Sequence, residues 1–226
     1  MPVTSPENGS SHDHSDRTRG RRAAGTSAPA RPAMADPGAW AVLAFSTNSF
    51  MLGLYNAQLV DANGAAIVIP MAFLFGGLVQ VVVAVLEVIR GNLFGAVVFG
   101  SYGPFWIIYG LIEERYAGKV ASAGAAVKDQ LAVSSALTVF LAMFAILTFF
   151  FLIASLRTDM VLVAVFALLL AAFVLLALGI HSGNTGLEKT SGWLTLIFAV
   201  LGWYHGAGGL IAATFGRKVL PVGPLS

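Results

Sequence analysis

The sequence predicts an all-α integral membrane protein: a bundle of six transmembrane helices with both termini in the cytoplasm. Three observations predict it. Of 226 residues, 57% are hydrophobic and 11% are charged, whereas a soluble domain is about 25% charged. Mean hydropathy is +0.81. Six stretches also reach the roughly 20 apolar residues that a helix needs to cross a bilayer. The chain has no cysteine, which excludes disulfides and thiolate chemistry.

Residues 1–35 are rich in Ser, Gly, Pro, Ala, Arg and His. They hold too little apolar surface to fold and read as a disordered basic tail. Its cluster of Arg17, Arg19, Arg21 and Arg22 is not followed by a short apolar core and small-residue cleavage site, so it does not read as a cleaved signal peptide. Met34 is a candidate start residue. The transmembrane domain occupies 36–218, and 219–226 reads as a short C-terminal tail.

The spans are expected near 38–59, 65–89, 93–113, 131–156, 160–182 and 191–214. Only the connection 114–130 is long. Basic residues set the orientation. Nine of them (Arg17, Arg19, Arg21, Arg22, Arg31, Arg90, Arg157, Arg217, Lys218) share one side, and four (Arg115, Lys119, Lys128, Lys189) share the other. The richer side, with both termini, is cytoplasmic.

Polar side chains inside spans are costly and face a bundle interior or a wet path. In the first span Phe45, Asn48, Ser49, Leu52 and Asn56 fall on one helical face. In the second, Gly76, Gln80, Ala84 and Glu87 do the same. Such faces either glue helices by hydrogen bonds or line a conduit. In the third span Pro104 lacks an N–H, which frees the carbonyl of Gly100 and predicts a kink beside Ser101 and Tyr102. The polar residues of a conduit would be Asn48, Ser49, Asn56, Gln80 and Ser101. In the sixth span Gly202, Gly206 and Gly209 form a small-residue face for tight packing. Glu87, with Arg90 at i+3, reads as a salt bridge or a proton-exchanging carboxylate; His181 and His205 read as structural or proton-linked groups. No catalytic residue, cofactor motif or metal-ligand spacing is present in the sequence, and no basic surface suits nucleic acid.

The run FLFGGLVQVVVAVLEVIRGNLFGAVVFGSYGPFW (73–106) resembles the signature region of the acetate uptake transporter family, the succinate–acetate permeases and their fungal relatives. Gly76-Gly77, Gln80, Leu86-Glu87, Gly91-Asn92, Phe94-Gly95 and Ser101-Tyr102-Gly103 carry the resemblance. ALGIHSGN (177–184) and FGRKVLPVG (215–223) extend it. The first span departs from the family: DPGAWAV (36–42) keeps only Pro37 of an Asn-Pro-x-Pro-Leu-Gly-Leu motif that the family ties to substrate uptake. The resemblance implies six-helix protomers in a homo-hexamer within the lipid bilayer. It implies a path in each protomer, narrowed at Phe45, Tyr102 and Leu169. The substrate implied is acetate or a related short carboxylate such as succinate, moving with a proton or as through a channel. A channel for a small neutral solute such as ammonia or urea suits the same chargeless spans. A non-transporting sensor or scaffold would need the tail as its working part.

Overall fold

The computed structural model describes residues 34–117 and 127–225. The expected tail lies outside these residues except for Met34 and Ala35, as do Lys119 and the middle of the long connection. Regular structure among the described residues is helical. Helix α1 spans Gly38–Asn56, and Asp36 Oδ1 accepts the Gly38 N–H at 2.9 Å, satisfying a donor that the first turn cannot.

Helix α2 is composite: a 3-10 turn over Ala62–Ile67, α-helix over Val68–Met71, π-helix over Ala72–Leu78 and α-helix over Val79–Arg90. Gly91, at φ 77°, ends it, as a left-handed residue favours glycine. Helix α3 spans Leu93–Ile112, with Asn92 accepting the Gly95 N–H, and a π turn over Glu113–Ala117 extends it. Helix α4 spans Val127–Ser155. Helix α5 spans Met160–Ser182, with Asp159 accepting the Leu162 N–H. Helix α6 spans Thr185–Phe215, with Asn184 accepting from Gly186 and Leu187. Five of these, α2 to α6, are long and apolar enough to cross a bilayer. Helix α1, at 19 residues, has comparable length but carries the polar stripe.

One expected boundary is corrected. The sixth span starts at Thr185, six residues before its expected start at 191, because Asn184 caps it and Glu188 sits in its first turn. Pro104 lies inside the continuous helix α3. The irregular backbone lies opposite, in the π stretch of α2 around Gly76 and Gly77. There the two helices meet closely: a Cβ on Gly103 would lie 2.9 Å from Val81 N and 3.0 Å from Gly77 O.

Small residues seat α1 against α6. A Cβ on Gly206 would lie 2.8 Å from Leu43 Cγ, and one on Gly192 or Gly202 would overlap Ala57 N or Ser46 Oγ. In lipid, where no hydrophobic force separates helix from solvent, this close packing is what holds helices together. Helix α5 packs between α4 and α6, and α3 packs on α2. Leu74, Val85, Met143, Ile146 and Leu178 point outward, as lipid-facing side chains do.

The ends are tied as well. Arg90 donates to Asp36 Oδ1 at 2.8 Å and to Glu87 Oε2 at 3.0 Å. Within the short C-terminal tail, the described residues 219–225 are fastened at the α4–α5 turn. Met160 N–H donates to Gly223 O and Leu225 N–H to Thr158 O, both at 2.9 Å.

Candidate functional site

A cavity of about 30 Å³ sits inside the bundle, lined by α1, α3, α4, α5 and α6. That is room for about two water molecules. From α1 it takes Phe45, Ser49, Leu52 and Asn56, which are i, i+4, i+7 and i+11 and so share one stripe. From α5 it takes Leu169, Ala172, Phe173 and Leu176; from α3, Phe105, Trp106 and Tyr109. Leu141 of α4 and Phe198 of α6 complete the apolar wall, and Ser191 and Thr195 of α6 join Ser49 and Asn56 as its polar part.

Phe45 organises the aromatic wall. Its ring lies 5.2 Å from that of Tyr102, 6.1 Å from Trp106 and 6.0 Å from Phe198. These centroid separations suit tilted and edge-on aromatic contact. Phe45 and Leu169 therefore meet at the cavity, and Tyr102 backs Phe45 from behind. The hydroxyl of Tyr102 lies 2.7 Å from Thr148 Oγ1. Thr148 gives its only hydrogen to Phe144 O, so Tyr102 is the donor. Its polar tip is consumed by α4, and what it presents toward Phe45 is its ring.

The polar residues expected to line one conduit divide into three places. Ser49 and Asn56 line the cavity. Asn48 and Gln80 are fully buried outside it, meeting at the π stretch of α2. A Cβ on Gly76 would lie 2.8 Å from Asn48 Nδ2 and 2.9 Å from Trp106 Cγ, and Gln80 Nε2 donates to Gly76 O. Gly76 thus makes room for both neighbours. Asn48 Nδ2 and Oδ1, Gln80 Oε1, Ser49 Oγ and Trp106 Nε1 have no protein hydrogen-bond partner. Ser101 is half-buried elsewhere on α3 and joins neither group.

The titratable candidates stand apart from the cavity. Glu87 is fully buried and paired with Arg90 at the end of α2, which is the salt-bridge reading. Asp36 shares that arginine. It also caps α1, a role that the asparagine of the motif it replaces would fill equally. His181 is exposed in the last turn of α5. His205 Nε2 lies 3.0 Å from Asp159 Oδ2, near the C-terminal segment, where the Tyr204 hydroxyl donates to Pro221 O. Burial pushes the Asp159 carboxyl upward, but hydrogen bonds from His205 and the Leu162 N–H outweigh it and hold the group below its ordinary value. Among the described residues, no three His, Asp or Glu side chains gather as a metal site would require.

Sequence reasoning missed Trp106, Ser191, Thr195 and Thr148. The hydroxyls Ser191 and Thr195 stand at i and i+4 on α6, the same signal that marked Ser49 on α1. Trp106 had one too, as the last residue of the run that carries the family resemblance.

A profile of the GPR1/FUN34/yaaH family matches residues 19–226. The succinate-acetate/proton symporter SatP of Escherichia coli (strain K12) is 30% identical over 190 residues, 84% of this chain and 96% of that protein. Acetate permease A of Emericella nidulans is 30% identical over 195 residues, 83% of this chain and 65% of its own length. Ammonia transport outward protein 2 of Saccharomyces cerevisiae is 28% identical over 177 residues, 78% of this chain and 61% of its own. A solved structure, that of the bacterial acetate channel SatP, matches with a TM-score of 0.74 at 30% identity, covering 84% of this chain and 99% of that one.

Proposed function

This chain belongs to the GPR1/FUN34/yaaH family, and we propose that it carries acetate and related short carboxylates across the cell membrane together with a proton. It is a multi-pass membrane transport protein, not an enzyme. The observation that carries the reading is the cavity between five of the six helices, with Phe45 and Leu169 on its apolar wall and Ser49 and Asn56 on its polar part. Such a cavity suits a molecule with one polar end and a very short apolar tail. No lysine or arginine lines it, so a bare carboxylate there would be buried without countercharge, which is expensive. Linkage to a proton removes that cost.

The finer architecture is part of the same proposal. Helix α1 crosses the bilayer with the other five, giving six spans and two cytoplasmic termini. The alternation of ends supports this: the start of α1 meets the end of α2 through Asp36 and Arg90, and the far end of α1 meets the start of α6 at Ala57 and Gly192. Protomers assemble as a homo-hexamer, each with its own path, and Phe45, Tyr102 and Leu169 form the neck. Asn48 and Gln80 flank it as reserve polar groups, and Glu87, His181 and His205 are structural.

The test is labelled acetate uptake into proteoliposomes with and without an inward proton gradient, corrected for protein-free liposomes. Uptake that the gradient accelerates is expected; no uptake in either condition would end the proposal. Passage of ammonia is the second reading, favoured by the yeast relative of that name and by the chargeless cavity. Ammonia flux that carboxylates do not inhibit would favour it.

A further inference from the structure

We infer that the species recognised at the cavity is the undissociated carboxylic acid, its proton travelling on the substrate and not on a side chain. The inference rests on the carboxylate reading above. It follows from an inventory of hydrogens. Ser191 donates its hydroxyl hydrogen to Ala172 O and Thr195 donates its own to Ser191 O, both at 2.9 Å. A hydroxyl has one hydrogen and two lone pairs, so these two cavity residues can offer a ligand only acceptors. Donors remain on Ser49, whose Oγ has no protein partner, on the Asn56 amide and on Trp106 Nε1.

A carboxylate accepts only. It would find the lone pairs of Ser191 and Thr195 turned toward its own, with no cation among the lining residues. A carboxylic acid both donates and accepts. Its O–H is served by Thr195 and its C=O by Ser49, while its alkyl end lies against Phe45 and Leu169. Glu87 is bound to Arg90, His205 to Asp159, and His181 is exposed on the last turn of α5; the titratable side chain at the wall itself is the Tyr109 phenol, whose hydroxyl is engaged with the Glu113 carboxyl.

The full chain in proteoliposomes tests this. A carboxyl group has an ordinary pKa of about 4.3, so the undissociated fraction falls about tenfold per pH unit above roughly pH 5.5. Net initial uptake at fixed total acetate is expected to fall about tenfold per unit between pH 6 and 8, after subtraction of protein-free liposomes. Acetamide, neutral and similar in shape, is expected to compete; trifluoroacetate, ionised throughout, is not. Thr195→Val keeps the shape, loses the acceptor and is expected to lower uptake about tenfold. Uptake independent of pH, competition by trifluoroacetate equal to that by acetate, or full activity in Thr195→Val would each overturn the inference while leaving acetate transport standing. No uptake under any condition would overturn both.

Discussion

The bundle holds two kinds of buried polar group, and they are treated oppositely. At the end where α1 begins, the buried carboxylates are answered: Glu87 pairs with Arg90, which the exposed Asp36 shares, and Asp159 takes hydrogen bonds from His205 and Leu162, with only His205 Nδ1 left without a partner there. Halfway along α1, Asn48, Ser49, Gln80 and Trp106 keep buried polar atoms that no protein group answers. An unanswered buried polar group costs about 1–3 kcal/mol. A membrane protein that pairs its charges at this end tolerates that cost in its middle, beside the cavity. The difference separates polar groups that hold helices in register from polar groups positioned for what passes between them.

Substitutions can break or sharpen the contrast. Arg90→Ala is expected to have the largest effect on stability, about 3 kcal/mol, because it leaves Glu87 buried without its partner. Thermal unfolding in detergent measures it, and an unchanged melting temperature would show that the end cluster is not structural. Asn48→Leu is expected to change stability by no more than about 1 kcal/mol, since no protein hydrogen bond is lost, yet to slow acetate uptake. A loss as large as that of Arg90→Ala would erase the distinction between the two regions. The smallest effect is one of pH. Asp159 has a depressed pKa, so its contribution is present above the ordinary carboxyl value of about 3.9 and is lost as pH falls below it. Faster exchange of the Met160 and Leu225 amides at pH 3 than at pH 6, each relative to its intrinsic rate, is the expected sign.

Much of this was legible in the sequence, for a physical reason. Helical periodicity fixes which side chains share a face, so the stripe of Phe45, Ser49, Leu52 and Asn56 and the glycine face of α6 emerged correctly. Periodicity does not say which neighbour a face meets. Asn48 lies on the same broad face as Ser49 but at i+3 from Phe45, which turns it toward Gly76 of α2 and away from the cavity. Ser101 was grouped by its place next to Tyr102, although consecutive helical residues point about 100° apart. The π stretch at Gly76-Gly77 left no periodic trace. The ends of α6 were set by Asn184 and Glu188, a capping signal that a hydropathy reading passes over.

The central claim is that the wall formed by Phe45 and Leu169 governs what fits. The most direct measurement is the ratio of succinate to acetate initial uptake in proteoliposomes bearing Leu169→Ala, with Leu169→Val as a milder companion should the first fail to fold. A ratio that rises several-fold, more for alanine than for valine, is predicted. A ratio equal to that of the unaltered chain, in folded protein that still takes up acetate, would contradict it.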